Sequence, residues 1–142
     1  MRPILELLKQ RAPVTWNLQP DDSVFDALKA LADHNVGALM VMDEGKLVGV
    51  ISERDYTRKI ALAGKSSKET RVREIMSTTV VTVAPEVRTR DCLSLMSQKK
   101  IRHLPVVDGV KVFGMISIRD IMNDIIADHE RTISQLEHYI SS

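Results

Sequence analysis

The sequence predicts a mixed α/β (α+β) fold: two tandem β-α-β-β-α units packed with pseudo-twofold symmetry, followed by an extended C-terminal helix. Three observations predict it. The chain repeats itself: slid so that Pro20 falls on Pro85, the stretch Pro20–Ile60 lies on Pro85–Ile125 without a gap. Identities along it include Asp26/Asp91, Leu39/Leu104, Val41/Val106, Gly49/Gly114, Ser52/Ser117, Arg54/Arg119 and Asp55/Asp120. Within each copy the apolar spacing changes from helical to strand-like and back. Finally, 142 residues with 44% apolar and 27% charged side chains suit one compact domain or two very small ones. A unit of about 60 residues has a sheet face it cannot cover alone, so two should pack together.

The elements follow in order. Pro3 to Gln10 has the pattern of a short amphipathic helix. An extended segment comes next, Val14 to Leu18 in the first copy and Val80 to Val83 in the second, and Pro20 or Pro85 opens a turn. A helix follows, with Val24, Ala27, Leu28 and Leu31 on one face, matched by Cys92, Leu93 and Met96. Two strands, Ala38–Met42 and Lys46–Ile51, flank Asp43-Glu44-Gly45, a tight hairpin turn. Leu104–Val107 and Lys111–Ile116 repeat them around Asp108-Gly109-Val110, and a second helix starts near Ser52 or Ser117. These limits assign residues 1–64 to the first unit with its N-terminal helix and 65–71 to a polar linker. Residues 72–128 form the second unit and 129–142 a C-terminal helical extension. The last helix carries a heptad-like seam, Met122, Ile126, His129, Ile133, Leu136 and Ile140, longer than one unit needs to cover its sheet. A homodimer with contacts between these helices is therefore expected.

Composition narrows the function. Twenty Lys+Arg against 19 Asp+Glu leave a net charge of +1, too balanced for non-specific binding to nucleic acid or anionic membrane. One cysteine, Cys92, cannot form an intrachain disulfide, which fits a reducing cytoplasm. No apolar run approaches the roughly 20 residues of a membrane span, and Glu6 interrupts the N-terminal apolar stretch as a signal peptide would avoid. The histidines His34, His103, His129 and His138 have no metal-ligand spacing with one another or with Cys92. No nucleophile elbow, Walker loop or dinucleotide fingerprint occurs. A non-catalytic protein without a metal is expected.

The segment Gly49-Val50-Ile51-Ser52-Glu53-Arg54-Asp55, repeated as Gly114-Met115-Ile116-Ser117-Ile118-Arg119-Asp120, resembles the glycine–apolar–apolar–Ser/Thr–x–x–Asp signature of cystathionine-β-synthase (CBS) domains. The preceding strands, Val36–Asp43 and Ile101–Asp108, are similar to the family's as well. The whole resembles a stand-alone tandem pair, a Bateman module of bacterial type, over residues 4–127. That resemblance implies a sensor of AMP, ADP, ATP, NAD or S-adenosylmethionine, held in clefts between the two units. It implies that the signature Asp holds the ribose hydroxyls and that the Ser approaches phosphate. One cleft would use Ser52, Arg54, Asp55, Gly37 and Ala38, and borrow Ser77, Thr78, Thr79 and Val81 from the other unit. The second would use Ser117, Arg119, Asp120, Arg102 and His103, and borrow Val14, Thr15 and Trp16. Paired modules of this kind commonly form flat dimers, and a regulated protein partner is implied.

The residues carry an argument of their own. Ser52 and Ser117, each followed by an acid three residues later, are helix caps. Capping does not explain Arg54 and Arg119, because a cation in the first turn opposes the helix dipole. An anion at that helix end would explain both. Ionised Asp55 and Asp120 are acceptors suited to paired hydroxyl donors. Arg102-His103 replaces the small Gly37-Ala38, so the two clefts should differ. Trp16 suits a core or interface position, or a stacking face for adenine. A ligand-free interaction scaffold is the alternative, opposed by intact Ser/Asp pairs in both copies.

Overall fold

The computed structural model describes residues 2–10 and 16–141. Its elements are α1 (Ile4–Lys9), β1 (Asn17–Leu18), α2 (Val24–His34), β2 (Ala38–Asp43), β3 (Lys46–Ser52), α3 (Glu53–Tyr56), α4 (Val72–Ile75), α5 (Thr89–Lys99), β4 (His103–Asp108), β5 (Lys111–Ser117) and α6 (Ile118–Ser141). They divide into two units. The first holds residues 16–81, the second residues 2–10 together with 82–141.

The two copies are built by the same local chemistry. Antiparallel β2–β3 and β4–β5 share one register, Ala38↔Ser52 matching His103↔Ser117, and each ladder shifts at the same place, after Val41 and after Val106. The hairpin turns differ. Glu44 and Gly45 both have positive φ, at 50° and 79°, whereas in the second turn Gly109 alone does, at 60°. Gly stands second in one turn and first in the other, which selects the two mirror-type hairpin turns respectively. Helix α2 ends on Asn35 and α5 on Lys100, both left-handed, at φ 53° and 57°.

The leading strands are unequal. β1 runs parallel to β2, with Asn17↔Met40 and Leu18↔Val41. The expected Val80–Val83 strand shrinks to a single parallel bridge, Val83↔Val106. Val83 donates to the Pro105 carbonyl at 3.0 Å and accepts from Val107 at 2.9 Å. Pro105, standing where the first copy has Met40, has no N–H to donate to the next rung, so the ladder stops there. Val14 lies outside the described residues, so the strand predicted from it is seen only at Asn17 and Leu18.

Helix α1, expected in the first unit, belongs to the second. Ile4 and Leu5 donate to the carbonyls of Val87 and Pro85 at 2.7 and 3.1 Å, and Thr89 donates to Arg2 at 3.1 Å. Helix α4, whose residues the sequence limits assign to the second unit, docks in the first by the same bonds. Val72 and Arg73 donate to Asp22 and Pro20 at 2.8 and 2.9 Å, and Val24 donates to Thr70 at 2.8 Å. Each short helix thus seats on the proline turn of the other sequence copy. Burial shows why they stay: Ile4 and Leu7 in the second unit, and Val72 and Ile75 in the first, are at most 5% exposed. Val72 and Ile75 lie in the first unit's apolar core with Leu18, Val24, Leu31, Val41, Ile51 and Ile60. Burying such side chains contributes about 1.5–3 kcal/mol each, enough to hold a helix too short to persist alone.

The signature glycines face these helices. A Cβ on Gly49 would lie 2.7 Å from Met76 Sδ and 3.0 Å from the Ser77 carbonyl. Gly114, with φ 148°, faces Leu8 in the second unit, the residue corresponding to Met76.

Candidate functional site

After each signature strand the chain turns into a helix on a complete capping box. In the first unit the Ser52 N–H and Oγ donate to Asp55 Oδ2 at 2.9 and 3.1 Å, and the Asp55 N–H donates back to Ser52 Oγ at 3.2 Å. In the second unit the same bonds between Ser117 and Asp120 measure 2.9, 3.0 and 3.2 Å. The first helical N–H is used as well, Glu53 donating to the Gly37 carbonyl at 3.1 Å and Ile118 to the Arg102 carbonyl at 2.9 Å. Gly37 and Arg102 therefore serve through their backbone carbonyls. The serines and aspartates are half-buried, while Arg54 and Arg119 are exposed.

The helices that follow are unequal. α3 has four α-helical residues and then widens into a π-type stretch, Thr57–Ala61, with Leu62 donating to Thr57 at 3.0 Å. α6 continues for 24 residues. The dipole argument for an anion beside the signature Arg is therefore stronger at Arg119 than at Arg54.

Two charged positions went unnoticed in the sequence. Lys59 lies one turn after Asp55, with Nζ 3.4 Å from Asp55 Oδ1, and donates to the Ile75 carbonyl at 2.7 Å. The matching position of the second copy is Asp124, 8% exposed and paired with Arg2. That hydrogen bond raises the Arg2 pKa above its ordinary value. The i,i+4 spacing from each signature Asp was the available signal, but Arg2 could not be assigned before α1 was seen in the second unit. Beside this pair a groove of about 420 Å³ is lined by Arg2, Leu7, Gln10, Asp120, Asn123, Asp124, Ala127 and Arg131.

The remaining expected residues are placed as follows. Ala38 is buried at the start of β2, and His103 half-buried at the start of β4. Ser77 exchanges two backbone bonds with Val50, at 2.9 and 3.1 Å. Ser77, the exposed Thr78 and Thr79, and half-buried Val81 thus stand in the same unit as Ser52 and Asp55. The expectation that this segment comes from the other unit is corrected, because α4 and its bridge to β3 carry the chain back into the first unit. Val14 and Thr15 lie outside the described residues. Trp16, in the first unit, is no core residue: it is 41% exposed. Its indole stacks on the His34 ring, with centroids 4.0 Å apart and planes at 13°. Cys92 is buried on α5, and burial, with Asp91 nearby, pushes its thiol pKa to about 11.

Among the described residues no helix is long and apolar enough to cross a membrane, and no group of three or more His, Cys, Asp or Glu side chains is placed to hold a metal ion.

The twofold signature is a family mark. The CBS-domain profile matches residues 11–62 and 72–127, and the chain belongs to the CBS-domain family. A CBS domain-containing protein of Arabidopsis thaliana, CBSX3, mitochondrial, is 42% identical over 125 residues, covering 84% of this chain. The aligned stretch spans 61% of that relative's length. A solved CBS-domain protein from Burkholderia ambifaria is 41% identical with a TM-score of 0.85, covering 89% of this chain and 95% of its own. The CBS domain pair of protein MJ0100, in complex with 5-methylthioadenosine and S-adenosyl-L-methionine, is 27% identical with a TM-score of 0.75, covering 86% of this chain and 96% of its own.

Proposed function

We propose that the chain is a non-catalytic regulatory module that binds an adenosine-containing ligand, AMP, ADP, ATP or NAD, through its two signature segments. One observation carries this reading. Both copies keep the Ser-x-Arg-Asp segment in one geometry, and a similar pair is in complex with two adenosine compounds. Asp120 and Asp55 accept the ribose hydroxyls, and Arg119, at the head of the long helix, meets the phosphate. Ser52 and Ser117 hold the carboxylates in place. Gly37, Ala38, Ser77, Thr78, Thr79 and Val81 border the first half-site, Arg102 and His103 the second. Binding favours one arrangement of the protein, which a partner protein reads. Mass spectrometry of small molecules released from purified, denatured protein tests the reading. Calorimetry with each nucleotide completes it, and silence with all of them at millimolar concentration defeats it.

S-adenosylmethionine is the second reading, favoured by the same MJ0100 pair. A sulfonium ligand has no phosphate for Arg119, so the Arg119→Ala variant separates the two. The protein also acts as a homodimer in this reading. Met122, Ile126, Ile133, Leu136 and Ile140 are 45–82% exposed along α6, an apolar stripe that a second α6 would cover. A reducing cytoplasm suits the single buried thiol of Cys92.

A further inference from the structure

We infer that Lys59 is a specificity-determining residue of the first half-site. Beside Asp55 it makes a paired donor and acceptor that reads the vicinal hydroxyls of a ribose. The second half-site carries Asp124 at that place and reads them differently. The inference rests on the adenosine reading above and deepens it by adding a residue that the signature does not contain.

The two oxygens of Asp55 have different duties. Oδ2 takes both Ser52 donors, the N–H at 2.9 Å and the Oγ at 3.1 Å. Oδ1 is the oxygen beside Lys59, with Nζ 3.4 Å away. The same ammonium donates to the Ile75 carbonyl at 2.7 Å, so α4 fixes where it stands. An ammonium has three donors, and one on Ile75 leaves others to point elsewhere. The Lys59 side chain is 46% exposed and that of Asp55 18%, so the pair is reachable from solvent. A ribose hydroxyl both donates and accepts, whereas an ionised carboxylate only accepts. Oδ1 and Nζ side by side answer both halves. A hydroxyl oxygen taken from water without a donor would cost affinity instead.

The fold does not need this arrangement. At the repeat offset Lys59 corresponds to Asp124, an acid that pairs with Arg2. The second unit seats its short helix without a lysine. There the Leu7 carbonyl, matching that of Ile75, accepts from the Gln10 N–H at 3.2 Å. The backbone around Lys59 is also peculiar to the first copy. Lys59 is the middle residue of the π-type stretch Thr57–Ala61, while the corresponding residues 122–126 run as ordinary helix within α6. Such π-type turns are rare and recur at functional sites.

Calorimetry with AMP and 2′,3′-dideoxyadenosine 5′-monophosphate, which lacks both hydroxyls, tests the pair. It is made in wild type and in Asp120→Ala, which impairs the second half-site and leaves the first to be read alone. AMP should bind the first half-site about a hundredfold more tightly than the dideoxy nucleotide, the worth of two charge-assisted hydrogen bonds. Lys59→Met, which keeps the unbranched stem, should weaken AMP by about tenfold and leave the dideoxy nucleotide unchanged. Lys59→Arg, which restores a donor, should recover most of the AMP affinity. In Asp55→Ala, which reports the second half-site, Lys59→Met should have no further effect. Equal losses of both nucleotides in Lys59→Met would make Lys59 a structural tie to α4. Unchanged AMP affinity would remove it from the half-site. Either result overturns the inference and leaves the adenosine reading standing. Absence of binding heat in wild type with AMP, ADP, ATP, NAD and S-adenosylmethionine alike would end both.

Discussion

Asp120 has a visible structural duty and a proposed ligand duty, and the two separate thermodynamically. Its carboxylate accepts from the Ser117 N–H and Oγ at 2.9 and 3.0 Å. Asp120→Ala deletes both bonds, the first of which is the side-chain half of the capping box, and leaves the bond from the residue-120 backbone N–H to Ser117 Oγ in place. Lost caps cost about 0.5–2 kcal/mol, which for a chain of this size lowers the melting midpoint by roughly 2–8 °C. A cap acts on the empty and loaded protein alike, so both melting curves should move down together. A ribose contact acts only on the loaded protein. Nucleotide at about 100 times Kd stabilises the wild type by ~2.7 kcal/mol, and a site weakened about tenfold retains only about 1.4 kcal/mol at the same concentration. The expected result is a lower baseline together with a ligand-induced increment cut to about half. Scanning calorimetry of wild type and variant, with and without AMP, reads both quantities in one experiment. Asp55→Ala makes the same comparison in the first unit, where Lys59 also loses its ion-pair partner. An increment equal to wild type beneath a lowered baseline would show that Asp120 only caps its helix.

Other perturbations have equally definite outcomes. Arg119→Ala should weaken AMP far more than adenosine and, by removing a cation from a helix N-terminus, leave the empty protein unchanged or slightly more stable; isothermal calorimetry with both ligands checks it, and equal losses would make Arg119 structural. Gly49→Ala places a methyl 2.7 Å from Met76 Sδ and 3.0 Å from the Ser77 carbonyl, so urea unfolding should show a loss of about 1–3 kcal/mol; an unchanged midpoint would show that Met76 and the backbone yield freely. Ile133→Asp with Leu136→Asp should shift light scattering from about twice 16.0 kDa toward one chain, still folded by circular dichroism; a double variant that stays dimeric would take α6 out of the interface.

Most of the fold was legible because most of it is local and written twice. Hairpin register follows from the pleat period and turn residues, and the offset that lays Gly49 on Gly114 also lays Ala38↔Ser52 on His103↔Ser117. The capping boxes were equally plain in the spacing of Ser52 and Ser117 from their acids. What sequence could not show was long-range or a matter of degree. Ile4/Val72 and Leu7/Ile75 correspond at a spacing out of step with Pro20/Pro85, so nothing local says which proline turn each helix seats on. That exchange moved Ser77–Val81 into the unit of Ser52 and brought Arg2 to Asp124. The widening after α3 and the shortened second leading strand depend on hydrogen-bond choices that apolar periodicity does not encode. The stack of Trp16 on His34 joins residues with no sequence pattern in common.

The seat of α1 also sets an order of assembly. Ile4 and Leu5 are made before their hydrogen-bond acceptors, Val87 and Pro85, which follow some 80 residues later. At about 5–20 residues per second the nascent helix waits roughly 4–16 s for its seat. α4 has no such wait, because Pro20 and Asp22 are already present when Val72 and Arg73 emerge. The first unit can therefore close while synthesis continues, with α4 as its last helix. The second unit closes only when α1 joins residues made some 80 positions later, a closure over a long loop that slows folding. Until then Ile4 and Leu7 remain apolar surface on a nascent chain, the kind of surface that promotes aggregation.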